Sequence, residues 1–278
     1  MPHVVSVQPE PVLSPGGRLR ITALPAATDN LVWILEDLAT QTVAVVDGPD
    51  AQAVEAWEER TGQHVSVLLT THTHGDHIGL HRRWETTGRL ATMEVLGSAA
   101  PAAPIPGLTR ALVDGDRIRI GATEGEVFRV DGHQNGHLAY RIDGALFCGD
   151  TLFAGGCGYL FDGPPSAMFA SLMRLAALPD ETLVCCAHEY TEDNLRFAAT
   201  VEPASPALEA RMRAVTALRA AGRCTLPSTI GEERATNPFL RPGSPSIREA
   251  LGLNPSHAHE EVFAAARALK DTGAYRHG

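Results

Sequence analysis

Residues 65–77 read VSVLLTTHTHGDH, an apolar run of β type that ends in three histidines and an aspartate within six positions. No other stretch constrains the fold as tightly. On extended backbone His72 and His74, two residues apart, project to the same side, whereas Asp76 and His77 turn toward a second point. One ion would not comfortably take all four. Borderline divalent metals accept imidazole and carboxylate together, and four of the twelve histidines lie between His72 and His81. A strand that delivers such a cluster to a sheet edge needs further ligands delivered to the same edge by other strands.

Those candidates are present. His133 follows EVFRV in VDGHQNGH, Asp150 closes LFCGDT, and His188 closes VCCAHEY, each at the end of a β-type run. Singly, a histidine at a strand end is more often a hydrogen-bonded structural residue, so the weight lies in the set. Asp47 at the end of QTVAVVDG, with Asp29 and His137, supplies partners of the kind that ligating imidazoles use for their second ring nitrogen. The remaining histidines, His3, His64, His81, His257, His259 and His277, read as surface residues.

Along the 278 residues, short β-type runs (31–35, 41–48, 65–71, RIRIG, EVFRV, LAYRI, ALFCGD, TLVCCAH) alternate with helical patterns at 50–62, 78–88 and 165–179. The expected class is α+β, sheets covered by helices. Beyond residue 190 the strand signal ends. A helix is expected over 207–222 with Gly222 as its stop, and a last one from Asn254-Pro255 to near Gly273. Residues 1–18 read as a loose extension, 19–190 as the metal-binding domain and 191–278 as a helical domain.

The formal net charge of −10 disfavours attraction to nucleic acid or anionic membrane, and no window approaches the ~18–20 apolar residues of a span. Five cysteines, with Cys185 and Cys186 adjacent, fit reduced thiols. Without a secretory signal in the first thirty residues, the expected compartment is the cytoplasm. Cys185 and Cys186 read as buried core.

Taken together with ALPAATDN (23–30), GDTLFAGGCG (149–158), AHEYTEDNLRFAATVEP (187–203) and TNPFLR (236–241), the chain resembles the metallo-β-lactamase superfamily and, within it, the hydroxyacylglutathione hydrolases (glyoxalase II). The resemblance runs over about residues 19–278. It implies an αββα sandwich followed by a helical C-terminal domain. It implies two divalent ions, with Zn²⁺ ahead of Fe²⁺ or Mn²⁺: His72, His74 and His133 on one, Asp76, His77 and His188 on the other, and Asp150 bridging. The implied reaction is hydrolysis of S-2-hydroxyacyl glutathione thioesters, with S-D-lactoylglutathione giving D-lactate and glutathione. Asp76 and Asp150 would act with a metal-bound hydroxide, since two ions ~3.5–4 Å apart bring a shared water's pKa down toward ~7. A thiol of pKa near ~8.5 leaves without a dedicated acid.

Substrate contacts implied by the resemblance are Tyr159, Phe161, Tyr190 and Arg241. Two positions depart from the family pattern: Tyr159 stands where relatives usually carry Lys or Arg, and Ser244 where a second basic residue is usual. A phenol does not replace a permanent charge, so the carrier thiol is less firmly implied than the reaction. Asp131, two residues before His133, has no assigned role. Other readings on the same scaffold are a mononuclear iron persulfide dioxygenase, a lactone or β-lactam hydrolase, or a non-catalytic sensor of metal or thiol conjugates. The tail carrying TNPFLR and the complete ligand set weigh against them. The expected partner is a small glutathione thioester, bound by a monomer.

Overall fold

In the computed structural model, which describes residues 3–276, the β-type runs pair into two sheets. The first holds seven strands in sequence order: β1 (Val12–Leu13), β2 (Leu19–Ala26), β3 (Asn30–Asp37), β4 (Val43–Val46), β5 (Val65–Leu69), β6 (Glu94–Ser98) and β7 (Arg110–Leu112). Pairing is antiparallel from β1 to β4 and parallel from β4 to β7. Parallel neighbours need crossovers, and α1 (Gln52–Thr61) and α2 (Gly75–Thr86) supply the first two. The second sheet contains β8 (Arg117–Ile120), β9 (Thr123–Arg129), β10 (Leu138–Ile142) and β11 (Ala145–Gly149) as an antiparallel meander. A small hairpin follows, β12 (Leu152–Phe153) with β13 (Gly156–Cys157), and α3 (Pro165–Ala176) then leads to β14 (Leu183–Cys186), parallel to β11.

The period of two along β3 decides the layering. Leu31, Trp33 and Leu35 enter the core between the sheets, together with Val127, Tyr140 and Phe147 of the second sheet. Val32 and Ile34 point the other way, into a second core with Val54 and Trp57 of α1 and Leu80 and Trp84 of α2. Because β3 is covered on both faces, NLVWILED is buried at every position. This is the expected αββα sandwich.

The last third of the chain is helical: α4 (Thr191–Val201), α5 (Pro206–Ala220), α6 (Ile230–Thr236), α7 (Pro245–Ala250) and α8 (His259–Asp271). Phe197, Phe239 and Phe263 pack there with ring centroids 5.7 Å apart in successive pairs. One short strand, β15 (Ser228–Thr229), leaves this region to pair with β14, so the helices are stitched to the second sheet by backbone as well as by packing.

Several expectations need correction. The N-terminal segment is docked, not loose: Val4 N–H donates to Thr28 O, Ser6 and Val7 N–H to Gly222 O, Val5 is buried, and Val12 pairs with Ile21. Strand pairing and one buried valine outweigh its Pro/Gly-rich composition. The last helix starts at His259, where Glu261 accepts the Ala258 N–H, while Asn254 closes a separate turn by accepting from Ser256. Helix α2 begins three residues earlier than its pattern suggested, because Gly75 and Asp76 already belong to its first turn. His81 is fully buried on the inner face of α2, its Nε2 2.7 Å from Thr70 Oγ1. His3 and His257 are half-buried, His64 and His259 exposed, and His277 lies outside the described residues.

Candidate metal centre

Four strand ends meet at one edge of the sandwich. From β5 the chain passes through Thr70 and Thr71 to His72, and His74 caps the start of α2. The turn after β9 carries His133, the residue after β11 is Asp150, and His188 stands two residues beyond β14. A bridge between Asn30 and His188, with Leu31 N–H donating to Ala187 O, locks the two sheets together at this edge. Buried donors that sequence reasoning missed fix the strand ends: Tyr140 OH donates to Thr70 O (2.6 Å) and Trp33 Nε1–H to Cys186 O (2.9 Å). Both lie within β-type runs (31–35 and LAYRI), where neither motif nor spacing marks such a contact. Gly149, at φ +49°, allows the close approach, because a Cβ there would lie 2.5 Å from Thr71 Oγ1.

The ring nitrogens converge. His72 Nε2 and His133 Nε2 each lie 3.0 Å from His74 Nδ1. His77 Nε2 and His188 Nε2 lie 3.6 and 3.4 Å from Asp76 Oδ2. Asp150 stands between the two groups: Oδ1 is 3.5 Å from His77 Nε2 and 3.4 Å from His188 Nε2, and Oδ2 is 3.4 Å from His133 Nε2. All seven residues singled out in the sequence are thus brought together.

The outer nitrogens set the tautomers. His133 Nδ1–H donates to the Tyr159 carbonyl (2.8 Å), His77 Nδ1–H to Asp47 (2.9 Å) and His188 Nδ1–H to Asp29 (2.8 Å). Thr71 gives its hydroxyl proton to Asp47 (2.6 Å) and so accepts from His72 Nδ1–H (3.0 Å). In each neutral ring Nε2 then carries the lone pair, aimed inward. Lone pairs of His72 and His133 both face His74 Nδ1, which has at most one proton to offer. Buried His77 Nε2 and Asp150 Oδ1 have no hydrogen-bond partner among the described residues. Inward lone pairs, an orphaned buried nitrogen and an orphaned buried oxygen are the signature of a donor set built for cations, and three imidazoles beside two imidazoles with carboxylates suit divalent metals. Asp47 also lies near His72 and His77, but its oxygens are already engaged by Thr71 N–H, Thr71 Oγ1–H and His77, which places it to orient the His77 ring.

Electrostatics agree. Burial lowers the pKa of His72, His133 and His137, keeping these rings neutral. For His77 burial also disfavours charge, yet Asp150 and Asp47 outweigh it and raise the pKa to about 10. His188 is raised in the same way, against burial, by Asp150, Asp29 and Asp76. Asp150 is held well below the carboxylate range, against burial, by His77 and His188. Protons on two imidazoles thus balance the carboxylates, and cations would replace them on binding.

His137 stacks on His72 (4.6 Å between centroids) and its Nε2 accepts the Asp150 N–H (3.2 Å), so it steadies two ligands at once. Gln134, not singled out in the sequence, accepts from Thr73 N–H and Oγ1–H at 2.8 Å and ties the His133 loop to the His72 loop. Asp131 now has a place: it accepts from Gly136 N–H and Arg129 and closes the His133 loop.

At the mouth, Phe161 lies 5.1 Å from the His74 ring and 4.9 Å from Tyr159, and both aromatics are exposed. Tyr190 stacks on His188 at 4.8 Å. Arg241 is not a free cation. Its guanidinium pairs with Glu202 (2.8 Å) and donates to Ala235 O, while Ser244 Oγ–H donates to the same carboxylate.

The family model described as metallo-beta-lactamase superfamily matches residues 29–188, and that described as hydroxyacylglutathione hydrolase C-terminus matches residues 189–273. A hydroxyacylglutathione hydrolase of Rhodobacter capsulatus is 48% identical over 257 residues, covering 91% of this chain and 98% of the relative. That of Methylococcus capsulatus is 47% identical over 260 residues, with 91% and 98% covered. Among solved structures, that of ETHE1 from Myxococcus xanthus superimposes with a TM-score of 0.57 at 21% identity, covering 94% of this chain and 96% of that one, a likeness of fold.

Proposed function

The chain belongs to the hydroxyacylglutathione hydrolase family of the metallo-β-lactamase superfamily, and on that premise we propose that it cleaves S-2-hydroxyacyl glutathione thioesters. S-D-lactoylglutathione would give D-lactate and glutathione, the second step of methylglyoxal detoxification. The observation that carries the reading is the convergence of seven candidate ligand side chains at one sheet edge, with the Asp150 carboxylate facing both groups.

His72, His74 and His133 would hold one divalent ion, Asp76, His77 and His188 the other, and Asp150 both. Zn²⁺ is our assignment, from the nitrogen-rich donor set. When bound, such a pair supplies Lewis acidity to a carbonyl oxygen and water acidic enough to ionise near neutral pH. The chain's own residues do the rest. Asp47, Asp29 and the Tyr159 carbonyl hold the outer protons of His77, His188 and His133, so that with cations bound the inward nitrogens of these three rings would be donors of electrons. Phe153, beside His188 and Tyr190, walls the site from bulk water. Side-chain exposure of Asp76 is 45%, so this carboxylate reaches the mouth where a substrate enters. We assign Tyr159, Phe161 and Tyr190 to the thioester, and Arg241 as a contact that Glu202 shares. The leaving thiolate needs no dedicated acid at a thiol pKa near ~8.5.

We place the protein in the cytoplasm as a monomer. Its five cysteines are unpaired, four of them buried, which supports a reducing compartment. No described helix is long and apolar enough to cross a membrane. The test is the initial rate on S-D-lactoylglutathione before chelation, after it, and after divalent metal is restored. The expected result is turnover lost and regained; negligible turnover by metal-loaded protein would refute the assigned substrate.

A further inference from the structure

Directly after Asp150 the chain forms the β12–β13 hairpin, whose two-residue strands offer little pairing of their own. Its backbone is instead held by four side chains from the helical region. Asn194 Nδ2–H donates to Ala154 O (3.0 Å), Asn237 Nδ2–H to Phe153 O (3.2 Å) and Gly156 O (2.9 Å), and Arg267 to Cys157 O (3.1 Å). Glu233 accepts the Gly155 N–H (2.7 Å). These side chains come from α4, α6, the residue after α6, and α8, and all four are nearly sealed from water. Glu233 is itself fixed by buried Arg211 (2.5 Å) and Ser228 (2.7 Å). Buried polar groups held this completely leave the hairpin no alternative position without breaking several hydrogen bonds at once.

The hairpin links Asp150 to the carbonyl that orients His133. Upstream is Asp150. Downstream, Gly158 N–H returns to Thr151 O (3.1 Å), and Tyr159 O accepts the Nδ1–H of His133. Gly158 leaves no slack, since a Cβ there would lie 1.9 Å from Asp150 O and 3.1 Å from His133 Nδ1. A shift of the hairpin therefore moves Asp150 and the acceptor that orients His133 together. Asp76, His77 and His188 are held differently, through Asn30, Asp47 and Asp29 of the first sheet.

We propose that Asn237 and Arg267, with Asn194 and Glu233, are positioning residues through which the helical region holds Asp150 and His133 in metal-binding geometry. This rests on the assignment of those two residues as ligands. Outer partners of metal ligands typically contribute 10–100-fold in affinity. The helical region thus has a part in the metal centre besides any contact with substrate.

The experiment is a Zn²⁺ titration of metal-free protein against a competing chromophoric chelator, for wild type, Asn237→Asp, Arg267→Met and Leu208→Ala. Leu208 lies in a separate small cluster of α4 and α5 and serves as a destabilised control. Two binding events are expected in wild type. Both hairpin variants should weaken the event that depends on both His133 and Asp150 tenfold or more and the other, which shares only Asp150, by a smaller factor, and Arg267→Lys, which keeps a donor, should recover part of the loss. Wild-type affinity at both events in the hairpin variants, or an equal loss in Leu208→Ala, would overturn the proposal. Fewer than two zinc ions bound by wild type would instead remove the two-metal reading and the proposal with it, whatever the activity on thioesters. Should a variant not fold, amide exchange in metal-free wild type decides: Gly155 N–H should be as protected as β11, and exchange through a local opening would overturn the proposal.

Discussion

At the scale of single residues, the site is specified by outer contacts as much as by ligands. Asp47 adopts φ +54°, a left-handed conformation rarely taken by a non-glycine residue, and it is held there by hydrogen bonds from Thr71 and His77. Its position at the end of QTVAVVDG made it legible; its strain was not. The candidate ligands that the structure brings together were legible because imidazole and carboxylate so densely placed at strand ends have few other uses. His81 was not, because nothing in its local pattern separates a histidine facing the core from one facing water. Burial lowers its pKa to about 3, far below the value near 6.5 of an unfolded chain. The unfolded state therefore binds the proton first, and stability falls as pH drops below about 6.5, by about 2 kcal/mol at pH 5 from this residue alone. His81→Leu should flatten the dependence of Tm on pH between 6.5 and 5, and an unchanged slope would show that the ring titrates normally. Tyr159→Arg, at an exposed position beside Phe161, should lower KM for S-D-lactoylglutathione roughly two- to fivefold with little change in kcat, the size of an exposed ion pair. A KM that stays or rises would show that this position does not contact the glutathione carboxylates.

At the scale of elements, the strands that end in candidate ligands and several of their neighbours (β3, β4, β8 and β10) were found from period and composition, but β6, β7 and β15 were not. β6 and β7 carry few strong signals, and β15 is two residues long, defined by pairing with β14 rather than by propensity. The start of α8 was placed too early because Asn254-Pro255 has the chemistry of a cap, yet Asn254 spends its oxygen on Ser256. Likewise the N-terminal segment looked unstructured because its contacts, with Thr28, Gly222 and β2, are distant in sequence. Removing residues 1–13 should lower Tm by roughly 3–12 °C, since burying one valine is worth about 1.5–3 kcal/mol and each kcal/mol moves Tm by about 2–4 °C in a domain of this size. A flexible tail would leave Tm unchanged in the same calorimetric scan.

At the scale of the molecule, two sheets are joined at the edge where the candidate ligands gather, and the helical region grips that edge from outside. The sandwich and the helical tail were legible from the order of strand and helix patterns together with TNPFLR and AHEYTEDN. The grip was not, because Glu233, Asn237 and Arg267 are joined to the metal loop only by tertiary contacts with backbone atoms. The central claim is that two divalent ions, shared by Asp150, act together on a thioester. Its most direct test is the initial rate on S-D-lactoylglutathione as metal is added to metal-free protein in measured equivalents. The account predicts a rate that rises until two equivalents are bound per chain and is abolished in Asp150→Ala. A plateau at one equivalent, or undiminished hydrolysis by Asp150→Ala, would contradict it.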